Sequence, residues 1–148
     1  YWDGLADRQA LHKADTPCDE RAYLHFSFGA YHGHGECCWR LGDLVAAGRG
    51  CASSAARAFS LYRRAFDLES GRIDEDRAST GNAALRLARA FELGRGCEQD
   101  FRRARTWYRL AAIGLGAAFD AGQWHFKRER IEARRGVARM AQEIAGTY

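Results

Sequence analysis

Residues 40–65 are written out a second time at residues 86–111. A shift of 46 brings Arg40, Leu41, Gly48, Arg49, Gly50, Cys51, Arg57, Ala58, Tyr62, Arg63 and Ala65 onto identical residues, 11 identities over 26 positions without a gap. An internal period of roughly 20–50 residues decides the fold before composition does. Each copy is one unit of supersecondary structure that buries its apolar face only by stacking on its neighbours.

Each copy reads as an antiparallel helix pair. Cys37, Leu41, Leu44 and Val45, then Ala83, Leu87, Ala90 and Phe91, recur at helical spacing and form an apolar stripe. The stripe stops at Gly48-Arg49-Gly50 or Gly94-Arg95-Gly96. Glycine just past a helix takes the left-handed cap conformation without a steric penalty. Ser53-Ser54 or Asp100 then offers an N-cap for the next helix. That helix sets Ala58, Tyr62 and Ala65, or Ala104, Tyr108 and Ala111, on one face. The small residues let two helices approach and the tyrosine fills the space beside them. Tyr62, Tyr108, Leu41, Leu87, Cys51 and Cys97 are accordingly expected in the core.

The motif Leu41-Gly42, Val45, Gly48-Arg49-Gly50-Cys51, and its closer copy Leu87, Phe91, Gly94-Arg95-Gly96-Cys97, Asp100, Ala104, Trp107-Tyr108, Ala111-Ala112, resembles the Sel1-like repeat, a relative of the tetratricopeptide repeat. The first copy departs from the pattern in lacking the Asp and in having Leu61-Tyr62 for Trp-Tyr. The resemblance implies an all-α, right-handed α/α superhelix of about four helix pairs. It implies a non-catalytic scaffold or adaptor for another protein or peptide, with no cofactor. A secreted, cysteine-rich branch of the family joins the position of Cys37 by a disulfide to one eight residues earlier. Here that residue is Gly29. Five free thiols in a reducing, cytoplasmic setting are therefore expected, with export the alternative if a signal precedes Tyr1.

The rest of the chain is divided around these copies. Residues 1–34 read as a diverged repeat: a helix over Trp2–Ala14, a break at Asp15-Thr16-Pro17, and a helix over Asp19–Tyr31. A shift of 36 lays Ala22, Phe26 and Gly29 on Ala58, Tyr62 and Ala65. Residues 35–80 are a repeat with ten extra residues within 67–80, and the polar stretch Glu69–Arg77 is read either as a loop or as a longer second helix ending near Gly71 followed by a short solvated connector. Residues 81–116 are the second full repeat. Residues 117–148 are expected to form two capping helices, the first suggested by Gly114, Ala117-Ala118 and Trp124, the second carrying Val137, Met140, Ala141 and Ile144.

Charge and reactive residues narrow the function. No run of apolar residues is long enough to span a membrane. Lys127, Arg128, Arg130, Arg134, Arg135 and Arg139 against Glu129 and Glu132 leave an excess of four positive charges, the whole formal net charge of +4. A solvated cap face explains this helix. The alternative is a nucleic-acid binder, although no recognition motif accompanies the charge. His32, His34, Cys37 and Cys38 form the one cluster with the residue types of a metal site or a small enzyme. Their spacing lacks the second ligand pair of a zinc finger, and free thiols buried as small hydrophobes account for the cysteines.

In a stack of helix pairs the first helices line the concave side. Leu41, Leu44 and Val45 claim the buried stripe of one, which leaves Glu36, Arg40, Asp43 and Ala47 outward. The same shift gives Asn82, Arg86, Arg89 and Leu93 on its neighbour. Arg40 and Arg86 recur without an evident packing demand. Arginine grips carboxylates with two parallel hydrogen bonds. A partner's acidic segment held by Arg40 and Arg86, with Glu36, Asp43, Asn82 and Arg89 around them, is the expected binding site.

Overall fold

The computed structural model describes residues 17–72 and 75–147. Among them are six α-helices: α1 Pro17–Tyr31, α2 Gly35–Ala47, α3 Ala55–Glu69, α4 Arg77–Leu93, α5 Phe101–Asp120 and α6 Lys127–Ala145. A 3-10 turn covers Trp124–Phe126, and no described residue is in a strand. Each helix packs on the next in sequence, and α2 with α4, then α4 with α6, touch across the intervening helix. The helix expected over Trp2–Ala14 lies outside the described residues.

The two glycine turns share the same left-handed cap and the same return bonds. Gly48 and Gly94 sit at φ 70° and 69° in the left-handed region. The next N–H reaches back into the helix, Arg49 to the Leu44 carbonyl at 2.9 Å and Arg95 to the Ala90 carbonyl at 3.0 Å. The N–H groups of Ser54 and Asp100 then bond Val45 and Phe91. Ser54 caps α3 by accepting from the Arg57 N–H, and Asp100 caps α5 by accepting from Arg102 and Arg103. The second glycine of each turn touches the previous repeat. A Cβ on Gly50 would lie 2.6 Å from the Asp19 carbonyl, and one on Gly96 would lie 2.4 Å from the Ala55 carbonyl. Asp19 and Ala55 therefore occupy equivalent places at the start of successive second helices.

Leu41, Leu87, Tyr62 and Tyr108 are buried between helices, as their recurrence demands. Each tyrosine ring lies where a neighbouring helix has no side chain. A Cβ on Gly42 would come within 2.5 Å of the Tyr62 ring, and one on Gly136 within 2.4 Å of the Tyr108 ring. Cys51 and Cys97 depart from expectation and are only half-buried, because the turn holds them at the outer edge of the helix junction. Leu24, Phe28 and Tyr31 of α1 are exposed.

Two elements are longer than the repeat requires. α4 starts at Arg77, capped by Asp76, and its added first turn buries Ala78, Ser79, Thr80 and Gly81. Part of the ten-residue excess is thus helix and not loop. Its partner, α5, continues to Asp120 and absorbs Gly114, Ala117 and Ala118. Where two capping helices are expected over 117–148, one helix, α6, follows a short turn. The reason α5 does not break at its glycines is a close crossing. A Cβ on Gly81 would stand 2.7 Å from the Leu115 nitrogen, and one on Gly114 would stand 2.9 Å from the Arg77 carbonyl oxygen. Glycine in mid-helix loses some helix propensity but permits this backbone contact.

Candidate functional site

The outward residues of α2 and α4 are tied to one another. Arg40 donates to Glu36 at 2.8 Å, and its guanidinium lies 4.4 Å from the centre of the Trp39 ring. Arg86 lies 4.2 Å from the same ring and grips both oxygens of Asp43, Nε to Oδ1 at 2.7 Å and Nη2 to Oδ2 at 2.9 Å. Its remaining Nη1 donates to the Asn82 carbonyl and to Asn82 Oδ1. Arg89 makes two bonds to Glu132 of α6.

Two expectations are corrected here. Asn82 is fully buried, and both ends of its amide are used within α4: its nitrogen donates to the Ala78 carbonyl one turn earlier and its oxygen accepts from Arg86 one turn later. Arg86 answers a packing demand after all. Its side chain is only 13% exposed, and Asp43 already saturates the fork that a partner's carboxylate would need. Arg40 is likewise paired, though exposed. Ala47 and Leu93 do face solvent.

Beneath these pairs run two tyrosine relays. The Tyr62 hydroxyl donates to Asp43 Oδ1 at 2.7 Å, and burial, reinforced by the Asp43 charge, pushes the phenol well above its ordinary value. The Tyr108 hydroxyl donates to Glu92 Oε1 at 2.5 Å, and Arg139 of α6 clasps both Glu92 oxygens at 2.8 Å. Those Arg139 bonds, with the Tyr108 bond behind them, hold the Glu92 carboxyl below the usual range against the opposing effect of its burial. The basic helix is therefore partly committed to the fold, through Arg139 and through Arg130, which lies 4.6 Å over the Phe119 ring.

Between the repeats lies a groove of about 280 Å³. Asp43, Tyr62, Arg86 and Arg89 line it, together with Ala55 and Arg95. Sequence reasoning missed Arg95, having treated the Gly-Arg-Gly turn only as a helix stop. The available signal was that the arginine of that turn recurs.

The His32–Cys38 stretch is dispersed by the fold. Cys38 is fully buried and Cys37 half-buried, and burial pushes both thiols up. Cys37 Sγ sits where a side chain on Gly29 would go, 2.2 Å from an ideal Cβ there. His32 and His34 are exposed. Among the described residues no three His, Cys, Asp or Glu side chains converge as a metal cluster. No helix among them is long and apolar enough to cross a membrane.

Paired helices, glycine turns with the same left-handed cap and return bonds, and side chains that bridge one repeat to the next define an α-helical repeat protein. The Sel1 repeat model matches residues 35–70, which span α2 and α3, and residues 81–113, which span most of α4 and the first part of α5. The chain belongs to the Sel1-like repeat family by these two copies. No curated protein matches it significantly. Sel1 repeats are commonly protein-interaction scaffolds and typically not catalytic.

Proposed function

We propose that the chain is a non-catalytic scaffold that binds a partner protein across the face formed by α2 and α4. The observation that supports this most is the groove at the repeat boundary, whose wall is fixed in advance by the bond between Asp43 and Arg86. Side chains already held in one rotamer lose little entropy on binding. Glu36, Arg40, Asp43 and Arg89 offer the polar contacts, and Ala47 and Leu93, the latter 52% exposed, offer apolar ones. Arg86 and Asn82 act from below by positioning Asp43.

The test begins with a partner captured from the host and then purified. Arg40→Glu removes the Glu36 pair and the stacking on Trp39 but leaves every buried side chain in place, so the variant should stay folded with a melting curve only slightly below the parent's. Its affinity for the purified partner should fall at least about tenfold, equivalent to about 1.4 kcal/mol. Unchanged affinity with an intact fold would move the binding surface off these helices.

A further inference from the structure

The two Gly-Arg-Gly turns share their backbone but not the fate of their arginine. Arg49 reaches Asp19, at the start of the preceding second helix, with Nε at 3.1 Å and Nη2 at 2.7 Å from Oδ1. The Asp19 side chain is 9% exposed. One repeat later the turn is rebuilt with the same helix stop, the same left-handed glycines and the same backbone contact between the second glycine and the start of the preceding helix. The residue in Asp19's place is Ala55. The Arg95 side chain has no hydrogen-bond or ion-pair partner among the described residues, and Arg95 and Ala55 both line the groove. The other two arginines of that groove are satisfied, Arg86 by Asp43 and Arg89 by Glu132.

We propose that Arg95 is the anion-binding point of this groove, and that an aspartate or glutamate from an acidic segment of a partner protein takes on Arg95 the place that Asp19 takes on Arg49. The proposal rests on the scaffold reading and supplies its partner chemistry. The chain holds a carboxylate receptor in its first repeat with the carboxylate built in. In its second repeat it holds the same receptor with the carboxylate left out and a groove in its place. Arg95 is exposed and reachable from solvent, and a guanidinium grips a carboxylate with two parallel hydrogen bonds. Apolar contact for the residues beside the acid comes from Ala58, Phe59 and Ala90, which also line the groove.

The probe is a blocked heptapeptide, acetyl-Ala-Phe-Ala-Glu-Ala-Leu-Ala-amide, with its Glu→Gln version as control. It is titrated into the full chain while the arginine Nε–H signals are followed by NMR. The acidic peptide should move the Arg95 signal and leave Arg49 in place, and the Gln peptide should move neither. Arg95→Gln should weaken binding of the acidic peptide by about tenfold or more. Ala55→Asp should do the same by supplying the carboxylate internally. It should also raise the melting temperature in the parent by more than in the Arg95→Gln background, a difference that the general benefit of an acid in the first turn of a helix would not produce.

Equal shifts at Arg128, Arg134 and Arg135 with none at Arg95 would overturn the proposal and reduce the peptide to a counterion for the basic helix. An Arg95 signal already bonded in the free chain would overturn it too, because a carboxylate of the chain would then fill the site. Either result leaves the scaffold reading standing if Arg40→Glu still weakens the purified partner. Loss of that effect, with Arg95 still binding the peptide, would remove the wider surface and keep this site.

Discussion

Asp43 and Arg86 face each other across the boundary between the repeats, and 46 residues later the same positions carry the same bond with its charges exchanged, Arg89 to Glu132. Sequence identity hides the relationship, since the shift of 46 turns Asp43 into Arg89 and Arg86 into Glu132. The inter-repeat clamp is set by place, and either sign satisfies it. It also gives α6 its role: Glu132 and the buried Ala133 stand where Arg86 and Leu87 stand in α4, so α6 takes the station of a third first helix.

The clamp can be measured by a double-mutant cycle on urea unfolding. Asp43→Ala and Arg86→Ala should show a coupling of about 1–2 kcal/mol, as suits a charged pair with one partner largely buried. Reversing both charges, Asp43→Arg with Arg86→Glu, should be more stable than Asp43→Arg alone. Additive single effects would show that the two side chains do not support each other.

Tyr108 is fully buried and its hydroxyl closes the Glu92–Arg139 bond. Tyr108→Ala should cost about 3–5 kcal/mol. In a chain of this length that lowers the melting temperature by about 6–20 °C. Tyr108→Phe keeps the ring and should cost only about 1–2 kcal/mol. Equal losses from the two would place the energy in the hydroxyl instead of in packing.

Glu92 provides a pH signature. Its carboxyl is held below the ordinary range in the folded chain, first by Arg139 and then by Tyr108, so the folded state binds its proton less readily than the unfolded state does. The resulting stability is present above the unfolded value of about 4.3 and is lost as pH falls through the folded value. Glu92→Gln should therefore be destabilised at pH 7, and its gap from the parent should close on acidification below about pH 4. A gap that stayed constant down to pH 3 would contradict the assignment.

Two glycines of α5 separate packing from propensity. Gly114→Ala pushes a methyl into the α4 backbone and should destabilise by about 1–3 kcal/mol. Gly116→Ala meets nothing nearer than the Arg130 Nε at 4.0 Å and should stabilise by about 0.5–1 kcal/mol through helix propensity alone. Thermal melts of the two single variants are sufficient. Stabilisation by both would disprove the close crossing of α4 and α5.

What was legible in the sequence was whatever repeats locally. The glycine turns, the caps at Ser54 and Asp100, and the buried Tyr62 and Tyr108 all follow from short-range pattern. What was not legible depends on contacts between repeats. Asn82 reads as an outward polar residue until its amide is found buried and shared between Ala78 and Arg86. Gly114 reads as a helix breaker until Gly81 is seen against it. Arg86 reads as a free cation because its partner, Asp43, lies 43 residues away and its counterpart in the next pair is an acid. The charge on Arg95 becomes meaningful only when Ala55 is found in the place of Asp19.

The most direct test of the scaffold face is site-resolved photo-crosslinking to the purified partner. A photoreactive residue is placed in turn at Ala47 and Leu93, on the exposed side of α2 and α4, and at Ser60 and Arg109, on the exposed side of α3 and α5. The expected result is a crosslinked complex from Ala47 and Leu93 and none from Ser60 or Arg109. Crosslinks confined to Ser60 and Arg109, with all four variants folded, would contradict it and place the partner on the second helices.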